Sequence, residues 1–202
     1  MDGDQPSSRD RLIIAAQRLF ARHGYNGVSV RDIAAEAGMN SASIGYYFGG
    51  KENLLAEVYR RSAAPMKAER RRRLAELDEA GITDLPALID AFVRPALLAD
   101  ESGSFLRLRT ILSAENSDIF SSLTAENFDD TSAEFIDRLC RALPDRARSE
   151  IMWRFHFMLG TLYYSATGPQ RIATISNGAC DPHDVDRLLA SLIPFLVAGF
   201  SA

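Results

Sequence analysis

Hydrophobic positions recur every three or four residues along most of the chain, and this spacing predicts helices. The first stripe comprises Leu12, Ile13, Ala16, Leu19 and Phe20, and it ends at Gly24. Further helices are predicted over residues 30–37, 41–48, 51–79, 85–99, 103–115, 118–143 (one helix or two), 144–167 and 184–200. The turn-rich stretch 170–180 is expected to be a loop. Because no segment has the two-residue period of a strand, the predicted fold class is all-α.

Two short helices joined by a tight turn are predicted ahead of a long helix that begins at Lys51. Ser29 and Asp32 have the spacing of a capping pair, so the first short helix begins directly after Ser29. Gly38 supplies a left-handed conformation that ends this helix, and Asn40 is a suitable N-cap for the next. This layout is typical of a helix-turn-helix DNA-binding domain.

The second short helix carries small side chains, which let its backbone approach the floor of a major groove. Tyr46 and Tyr47 extend beyond them, and Gly49 and Gly50 break the helix. Lys51 then falls in the first turn of the following helix, where a cation is unfavourable unless it meets an anion. A DNA phosphate held by the Lys51 ammonium and the free backbone N–H groups would explain this placement.

Residues 8–60 resemble the N-terminal domain of the TetR family of one-component repressors. Helix 1, the turn glycine, the Tyr-x-Phe ending and the Lys-Glu-x-Leu that follows fall at the family's spacing. Tyr47 and Gly50 replace the His and Ser of the branch ending Tyr-His-Phe-Gly-Ser-Lys, so no relative's operator sequence can be transferred. The resemblance implies phosphate contacts by Ser29, Arg31, Ser41, Tyr46, Tyr47 and Lys51. It implies a groove-facing surface formed by Asn40, Ala42, Ser43 and Gly45.

The length and composition fit one domain with a small appended one. The motif and the resemblance imply a helix-turn-helix DNA-binding domain over residues 1–60, and the resemblance implies a helical effector-binding and dimerisation domain over 61–202. The N-terminus is polar and no apolar stretch approaches 18 residues, so a cytoplasmic protein without signal peptide or membrane span is expected. Cys140 and Cys180 lie far apart without metal-ligand neighbours. We therefore expect structural cysteines, no metal and no cofactor.

The charge is unevenly distributed along the chain. Residues 1–75 hold 13 Lys and Arg against 8 Asp and Glu, whereas residues 76–202 hold 10 against 19. Much of the basic excess lies in the run Arg70 to Arg73 with Lys67. A solvated face on a long helix is favoured over direct phosphate contact for this run. In either case the N-terminal half is the electrostatically favoured side for DNA.

Apolar residues cover nearly the whole circumference of the predicted helix over 144–167, and the last helix is similarly apolar. A helix that is apolar all round must be buried on two sides, and a second copy of the chain is the simplest partner. We expect a two-fold homodimer with a four-helix interface, as the resemblance also implies, on a roughly palindromic site. The residues predicted to form the dimer interface are Trp153, Phe157, Tyr164, Leu189, Leu192, Ile193 and Leu196.

The middle helices and the long C-terminal helix supply side chains for an apolar cavity with a few polar tips. The predicted lining is Phe92, Phe105, Leu108, Ile111, Phe128, Phe155, His156, Leu159 and Tyr163. Taken singly, each aromatic and His156 fit plain core packing, and Arg94 and Arg107 are alternative anchors for an acidic ligand.

Residues 92–98 and 154–160 look like the C-terminal half of family members that sense fatty acids or acyl-CoA thioesters. A small hydrophobic acyl-type effector is therefore placed ahead of an aromatic or drug-like molecule. Its binding is expected to move the long fourth helix and release the DNA, although co-repression is the open alternative.

Two other function classes are weighed against a regulator. An enzyme would need partners for His156, Ser104 or Cys140, and the sequence has no nucleophile elbow, metal-ligand spacing or phosphate loop. A helical dimer could instead bind another protein through its N-terminal three helices. A sequence-selective, salt-sensitive DNA shift distinguishes the regulator from both.

Overall fold

The computed structural model describes residues 6–98, 104–115, 117–167 and 169–202, and every regular element in them is a helix. The helices are α1 (Ser8–His23), α2 (Val30–Glu36), α3 (Ala42–Phe48), α4 (Lys51–Glu79), α5 (Leu85–Leu98), α6 (Ser104–Glu115), α7 (Ser117–Ala142), α8 (Arg148–Thr167), α9 (Pro169–Ile175) and α10 (Val185–Ser201). The all-α prediction is confirmed. Within these ranges no helix combines the length and apolar character needed to cross a bilayer.

Most predicted helix bounds lie within a few residues of the observed ones. The region from 118 to 143 forms a single helix, and Pro65 neither ends nor divides α4. The helix predicted from Pro144 begins only at Arg148, after a turn. The predicted helix bounds at residues 99 and 103 lie outside the described residues.

The prediction of a loop over residues 170–180 is wrong at its start. Pro169–Ile175 forms the short helix α9, which Gly178 follows with a φ of 83°. Seven residues make only two turns, so Ile172 and Ile175 alone mark its apolar side. A pattern of that length does not distinguish a helix from a loop by periodicity.

The chain divides into two compact units, which comprise the described residues of Met1–Ala64 with Arg107–Asn127, and of Pro65–Leu106 with Phe128–Ala202. The first unit includes residues Arg107–Asn127, which lie outside the predicted domain 1–60. The divisions fall within α4, α6 and α7. The core of the first unit includes the fully buried side chains of Leu12, Phe20, Ile33, Leu54 and Tyr59.

The arginine run of α4 is largely structural in the second unit. Arg70 is buried, its Nε donates to the Phe92 carbonyl at 2.9 Å, and its guanidinium lies 3.7 Å from the Phe92 ring centroid. Arg71 pairs with Asp130 on α7 at 2.7 Å. Arg73 pairs with Asp90 on α5. The expected solvated face is therefore wrong for Arg70, because these arginines join α4 to α5 and α7.

Candidate nucleic-acid interface

The turn between α2 and α3 has the predicted capping geometry. The Asp32 N–H donates to Ser29 Oγ at 3.2 Å, and the Ser29 N–H donates to Asp32 Oδ2 at 2.8 Å. The hydrogen bond from the Ser29 side chain also lowers the pKa of the Asp32 carboxyl. Gly38 has a φ of 64°, the left-handed conformation that a helix end of this kind requires. The start and direction of α2 are thus fixed by its own sequence.

Helix α3 is held at both ends and anchored by one buried side chain. Asn40 Oδ1 accepts from the Ser43 N–H at 3.1 Å, so Asn40 caps the helix as predicted. The residue at the helix boundary itself is Ser41, which makes no side-chain capping bond. Ile44 is buried, and Gly49 ends the helix with a φ of 76°. Ala42, Gly45, Tyr46 and Tyr47 of α3 remain exposed.

Most of the predicted DNA-contacting residues are exposed. Tyr46 is 84% exposed and Tyr47 38%, and a Cβ added at Gly45 would meet open space. The other exposed members are Ser29, Arg31, Asn40, Ser41 and Ala42. Ser43 is half-buried, and its hydroxyl lies 3.3 Å from Asn40 Oδ1, so it is already engaged.

The Lys51 side chain, which is predicted to contact a phosphate, is half-buried and already bonded within the chain. Its Nζ donates to the Tyr25 carbonyl at 2.5 Å and lies 4.0 Å from the Tyr25 ring centroid. Burial lowers the pKa of the Lys51 ammonium, and the negative charges of nearby Glu115 and Asp32 partly offset this lowering. An ammonium has three N–H donors, so the bond to Tyr25 leaves capacity for a further acceptor.

Glu115, the last residue of α6, is a contact that the sequence analysis did not identify. Its Oε2 accepts from the Tyr25 N–H at 2.8 Å and from the Asn26 N–H at 3.4 Å. Glu115 therefore binds the N–H of Tyr25 and Lys51 binds its carbonyl, so both side chains secure the segment between α1 and α2. Glu115 lies 90 residues from Tyr25 along the chain, so no local pattern marks this pair.

A cluster of charges braces α4 against α1 in the same unit. Glu57 pairs with Arg9 at 3.1 Å, Arg60 at 2.8 Å and Arg61 at 3.0 Å. The hydrogen bond from Arg60, with that from Arg61 and the charge of Arg9, lowers the pKa of Glu57 to about 2 despite partial burial. The Arg9 guanidinium lies 5.2 Å from the ring centroid of Phe48, the last residue of α3. The cluster thus links the end of α3 to the helices behind it.

The residues predicted to line a ligand cavity are distributed over both units. Phe92, Phe105, Phe128 and Phe155 are buried in the second unit, where Phe92 lies 5.4 Å from Phe155 between ring centroids. Leu159 and Tyr163 are half-buried in that unit. Leu108, buried, and Ile111, half-buried, belong to the first unit.

His156 differs from the rest of the predicted lining, because its side chain is exposed. Its ring centroid lies 6.0 Å from that of Trp153 and 6.2 Å from that of Phe157. It therefore belongs to the outer aromatic cluster of α8, and the structure separates it from the buried phenylalanines.

The predicted dimer residues on α8 are exposed: Trp153 by 63%, Phe157 by 61% and Tyr164 by 65%. The rings of Trp153 and Phe157 stack with centroids 5.9 Å apart, one turn from each other. Met152 is also half exposed, at 51%. This side of α8 is a continuous apolar surface, which monomeric proteins seldom present to water.

The predicted interface residues on α10 require a correction. Leu189, Leu192 and Leu196 are buried within the chain, and Ile193 is half-buried. Their spacing of three and four residues forms the stripe by which α10 packs into its own unit, against α5 and α8. The large apolar side chain that α10 exposes is Phe195, at 65%. It was not predicted from the sequence, because it lies outside that stripe.

The described residues contain no group of three or more His, Cys, Asp or Glu side chains that could hold a metal ion. Cys140 is half-buried, Cys180 is exposed, and both are free thiols.

Family models match both parts of the chain. Residues 12–58 match the model described as bacterial regulatory proteins, tetR family. Residues 87–199, more than half of the chain, match the model described as tetracyclin repressor-like, C-terminal domain.

Curated relatives share the N-terminal part. The HTH-type transcriptional repressor AcnR of Corynebacterium glutamicum is 42% identical over 65 residues, which are 32% of this chain and 35% of AcnR. The HTH-type transcriptional regulator BetI of Vibrio vulnificus is 36% identical over 84 residues, 41% of this chain and 42% of BetI. The chain thus spans well under half the length of these relatives.

Solved structures match nearly the whole fold. A TetR-family transcriptional regulator from Bordetella parapertussis aligns with a TM-score of 0.71 at 21% identity, covering 95% of both chains. The fatty acid degradation regulator FadR from Bacillus halodurans aligns with a TM-score of 0.69 at 17% identity, covering 96% of this chain and 97% of FadR. These relatives are regulators rather than enzymes, and with both family models matched, the chain belongs to the TetR family of transcriptional regulators.

Proposed function

We propose that this protein is a ligand-responsive repressor that binds a palindromic operator as a homodimer and is released by a small hydrophobic effector. The outward surface of α3 carries the proposal: Ile44 anchors the helix, while Tyr46 and the small residues before it face solvent. A short helix with a small-residue face can enter a major groove closely enough for its side chains to reach base edges.

The charges around α3 suit a DNA backbone. Arg22 and Arg31 are exposed and form no ion pair within the described residues, so both guanidiniums remain available to phosphates. In contrast, Arg9, Arg60 and Arg61 are paired with Glu57. We assign phosphate contacts to Arg31, Lys51 and the tyrosine hydroxyls, which position the helix, and base contacts to the N-terminal residues of α3.

The exposed aromatic surface of α8 supports a dimer. Burying one such side chain contributes about 1.5–3 kcal/mol, and in a two-fold interface every contact occurs twice. We place Trp153, Phe157 and Tyr164 at this interface with Phe195 from α10, in place of Leu189, Leu192 and Leu196. Symmetry of this kind presents two copies of α3 to successive major-groove faces, about 34 Å apart.

Glu115 supplies a route for the ligand response. It closes α6 against the N–H groups of Tyr25 and Asn26, which precede α2. Any effector that shifts the end of α6 would disturb these hydrogen bonds and the position of the reading helices. Moving the population from mostly bound to mostly free requires about 5 kcal/mol of differential affinity, which burial of an acyl chain at about 0.8 kcal/mol per methylene can supply.

A mobility-shift assay against the DNA flanking the protein's own coding region, followed by selection from genomic fragments, tests the proposal. We expect a sequence-selective complex that contains two chains and weakens steeply with salt. A half-site probe should bind much more weakly than the intact palindrome. Absence of any selective complex across the genomic selection would instead favour a protein-interaction module.

A thermal-shift screen tests the effector class separately. Fatty acids, acyl-CoA thioesters and planar aromatics are compared, because a ligand of the native state raises the melting temperature. We expect acyl compounds to raise it and to release the DNA. A shift with aromatics alone would replace the acyl assignment, and stronger DNA binding with ligand would reverse the sign to co-repression.

A further inference from the structure

A separate cleft lies in the second unit between the end of α8, helix α9 and the start of α10. Its volume is about 470 Å³, within the range of small-molecule sites. None of its lining residues belongs to the buried aromatic cluster around Phe92 in which an effector was expected. The cleft therefore calls for its own explanation.

Much of the cleft wall is apolar and exposed. Tyr164 is 65% exposed, Ile172 42% and Ile175 61%, and Leu188 adds a half-buried side chain from α10. The helix α9 presents both of its isoleucines to this space, one turn apart. Apolar side chains around a concavity of this size favour an apolar occupant over water.

Two arginines line the same cleft without ionic partners. Arg171 of α9 and Arg187 of α10 form no ion pair within the described residues. Most other arginines of this unit are paired, as Arg94 with Asp90 at 2.8 Å and Arg138 with Asp78 at 2.5 Å. The two cleft arginines thus carry positive charge that the folded chain does not neutralise.

The acidic groups near the cleft do not change this conclusion. Asp181 is part of the lining, but its Oδ1 accepts from the His183 N–H at 2.9 Å, and it lies beyond ion-pair distance of both arginines. Asp184 caps α10 by accepting from the backbone N–H of Arg187 at 3.0 Å. Two guanidiniums against one lining carboxylate leave the cleft net positive.

We infer that this cleft binds an amphipathic anion, a molecule with an apolar body and one carboxylate or phosphate headgroup. The apolar body would lie against Ile172, Ile175 and Leu188. Arg171 and Arg187 would bind the headgroup, because a guanidinium donates paired hydrogen bonds to planar or tetrahedral oxyanions. A neutral or cationic molecule of the same length would leave both arginines unmatched and bind more weakly.

Occupancy of the cleft has a consequence for regulation, which rests on the proposed function. Tyr164 lines the cleft and also belongs to the α8 surface assigned to the dimer. A bound molecule in contact with Tyr164 would therefore alter the edge of that surface. Binding in the cleft itself depends on neither the dimer nor the operator.

Cys180 gives a direct readout, because it lines the cleft and is exposed. In a Cys140→Ser background, the rate of alkylation of Cys180 by a maleimide is measured with sodium decanoate, decyl phosphate, decanol and decyltrimethylammonium, each below its micelle concentration. We expect both anions to slow the reaction at least about fivefold at saturation, since a covered thiol is less accessible. Decanoate and decyl phosphate then distinguish the two headgroups.

The matched variant is Arg171→Gln with Arg187→Gln, which removes both positive charges and keeps polar side chains at two exposed positions. We expect it to weaken protection by the anions at least about tenfold while its circular dichroism stays native. Equal protection by decanol and decanoate, or no protection by either anion, would overturn the inference. So would a Cys180 thiol whose reactivity falls as protein concentration rises without ligand, because a second copy would then occupy the cleft.

A mobility shift with the anions separates this inference from the proposed function. Protection of Cys180 with no effect on DNA binding would support the cleft as a binding site and contradict an effect of its occupancy on the dimer. Loss of DNA binding by the protein alone would count against the repressor, while the alkylation result would still decide the cleft.

Discussion

Two surfaces of this protein expose large aromatic side chains, but they differ in what surrounds those side chains. On α3, Tyr46 is 84% exposed among small and polar residues, with open space beside Gly45. On α8, Trp153 and Phe157 are each more than 60% exposed and stack on one another. The two regions have similar exposure and opposite chemistry.

This difference indicates two kinds of partner. A polar, small-residue surface loses little by staying hydrated, and it suits the wet, charged contact that DNA offers. An aromatic stripe with His156 as its polar member gains most from a dry contact with an equally apolar partner, and a second copy supplies one. The comparison thus assigns nucleic acid to α3 and self-association to α8, and each assignment can be tested without the other.

The largest effect is expected at α8. Replacing Trp153 with Asp removes a large apolar contact and introduces a charge, twice per dimer by symmetry. We expect the dimer dissociation constant to rise by about 10³-fold or more, since each lost aromatic contributes about 1.5–3 kcal/mol. Sedimentation velocity over a concentration series measures this change.

Ile82→Asp is the control for that variant. Ile82 is 40% exposed and lies in the chain segment between α4 and α5 rather than on α8 or α10, so its replacement should leave the dimer intact. If Trp153→Asp remains dimeric at the same concentrations, α8 is not the interface and the apolar side of the comparison fails.

The next effect concerns the support behind α3. Glu57 has a folded pKa of about 2, below its ordinary 4.5, because Arg60, Arg61 and Arg9 surround it. A carboxyl group whose pKa is lower in the folded than in the unfolded state stabilises the fold at pH values above the unfolded pKa. That stability is lost as the pH falls from 4.5 towards 2. Glu57→Gln should lower the free energy of unfolding near neutral pH by about 2 kcal/mol.

Urea unfolding across pH tests this prediction. The variant should lack the part of the acid destabilisation that lies between pH 4.5 and 2. Glu76→Gln is the matched control, because among the described residues Glu76 pairs only with Arg72 on its own helix and is 58% exposed. Equal losses in the two variants would show that the Glu57 cluster has no special role in supporting α3.

On α3 itself, Tyr46→Ala should weaken operator binding by about 10–100-fold, the effect of losing a contact worth roughly 1–3 kcal/mol. The slope of log affinity against log salt should stay unchanged, because no charge is removed. Tyr46→Phe separates the ring from the hydroxyl. Wild-type affinity for Tyr46→Ala would mean that the exposed end of α3 does not reach DNA.

Features set by neighbouring residues were predictable from the sequence. Ser29 with Asp32, Gly38 and Asn40 act within three or four positions, so the start and end of α2 and the cap of α3 follow from their residue types. Glu115 contacts Tyr25 across 90 residues, and local periodicity carries no information about such a pair.

The apolar helices show why the dimer residues were only half predictable. Leu189, Leu192 and Leu196 have the pattern that a core stripe and an interface stripe share, and only packing shows which one they form. Phe195 stands beside that stripe as a single residue without a period of its own. Trp153 and Phe157 were identifiable because α8 is apolar beyond the width that one core can bury.

The smallest effect, and the one that tests the electrostatic side of the comparison, is expected at Lys51. Its ammonium donates to the Tyr25 carbonyl at 2.5 Å and has two further N–H donors for a phosphate. Lys51→Met keeps the aliphatic stem and should lower the salt slope of operator binding by about one, because one phosphate contact is lost.

Lys67→Met is the control for Lys51, since Lys67 is the only other lysine in the chain and pairs with Asp130 at 2.8 Å in the second unit. Its salt slope should equal that of the wild type. If Lys51→Met keeps the full slope but unfolds at a lower urea concentration, Lys51 only secures the segment before α2. The phosphate contacts of the α3 surface would then have to come from Arg22 and Arg31, whose guanidiniums have no ionic partner within the described ranges.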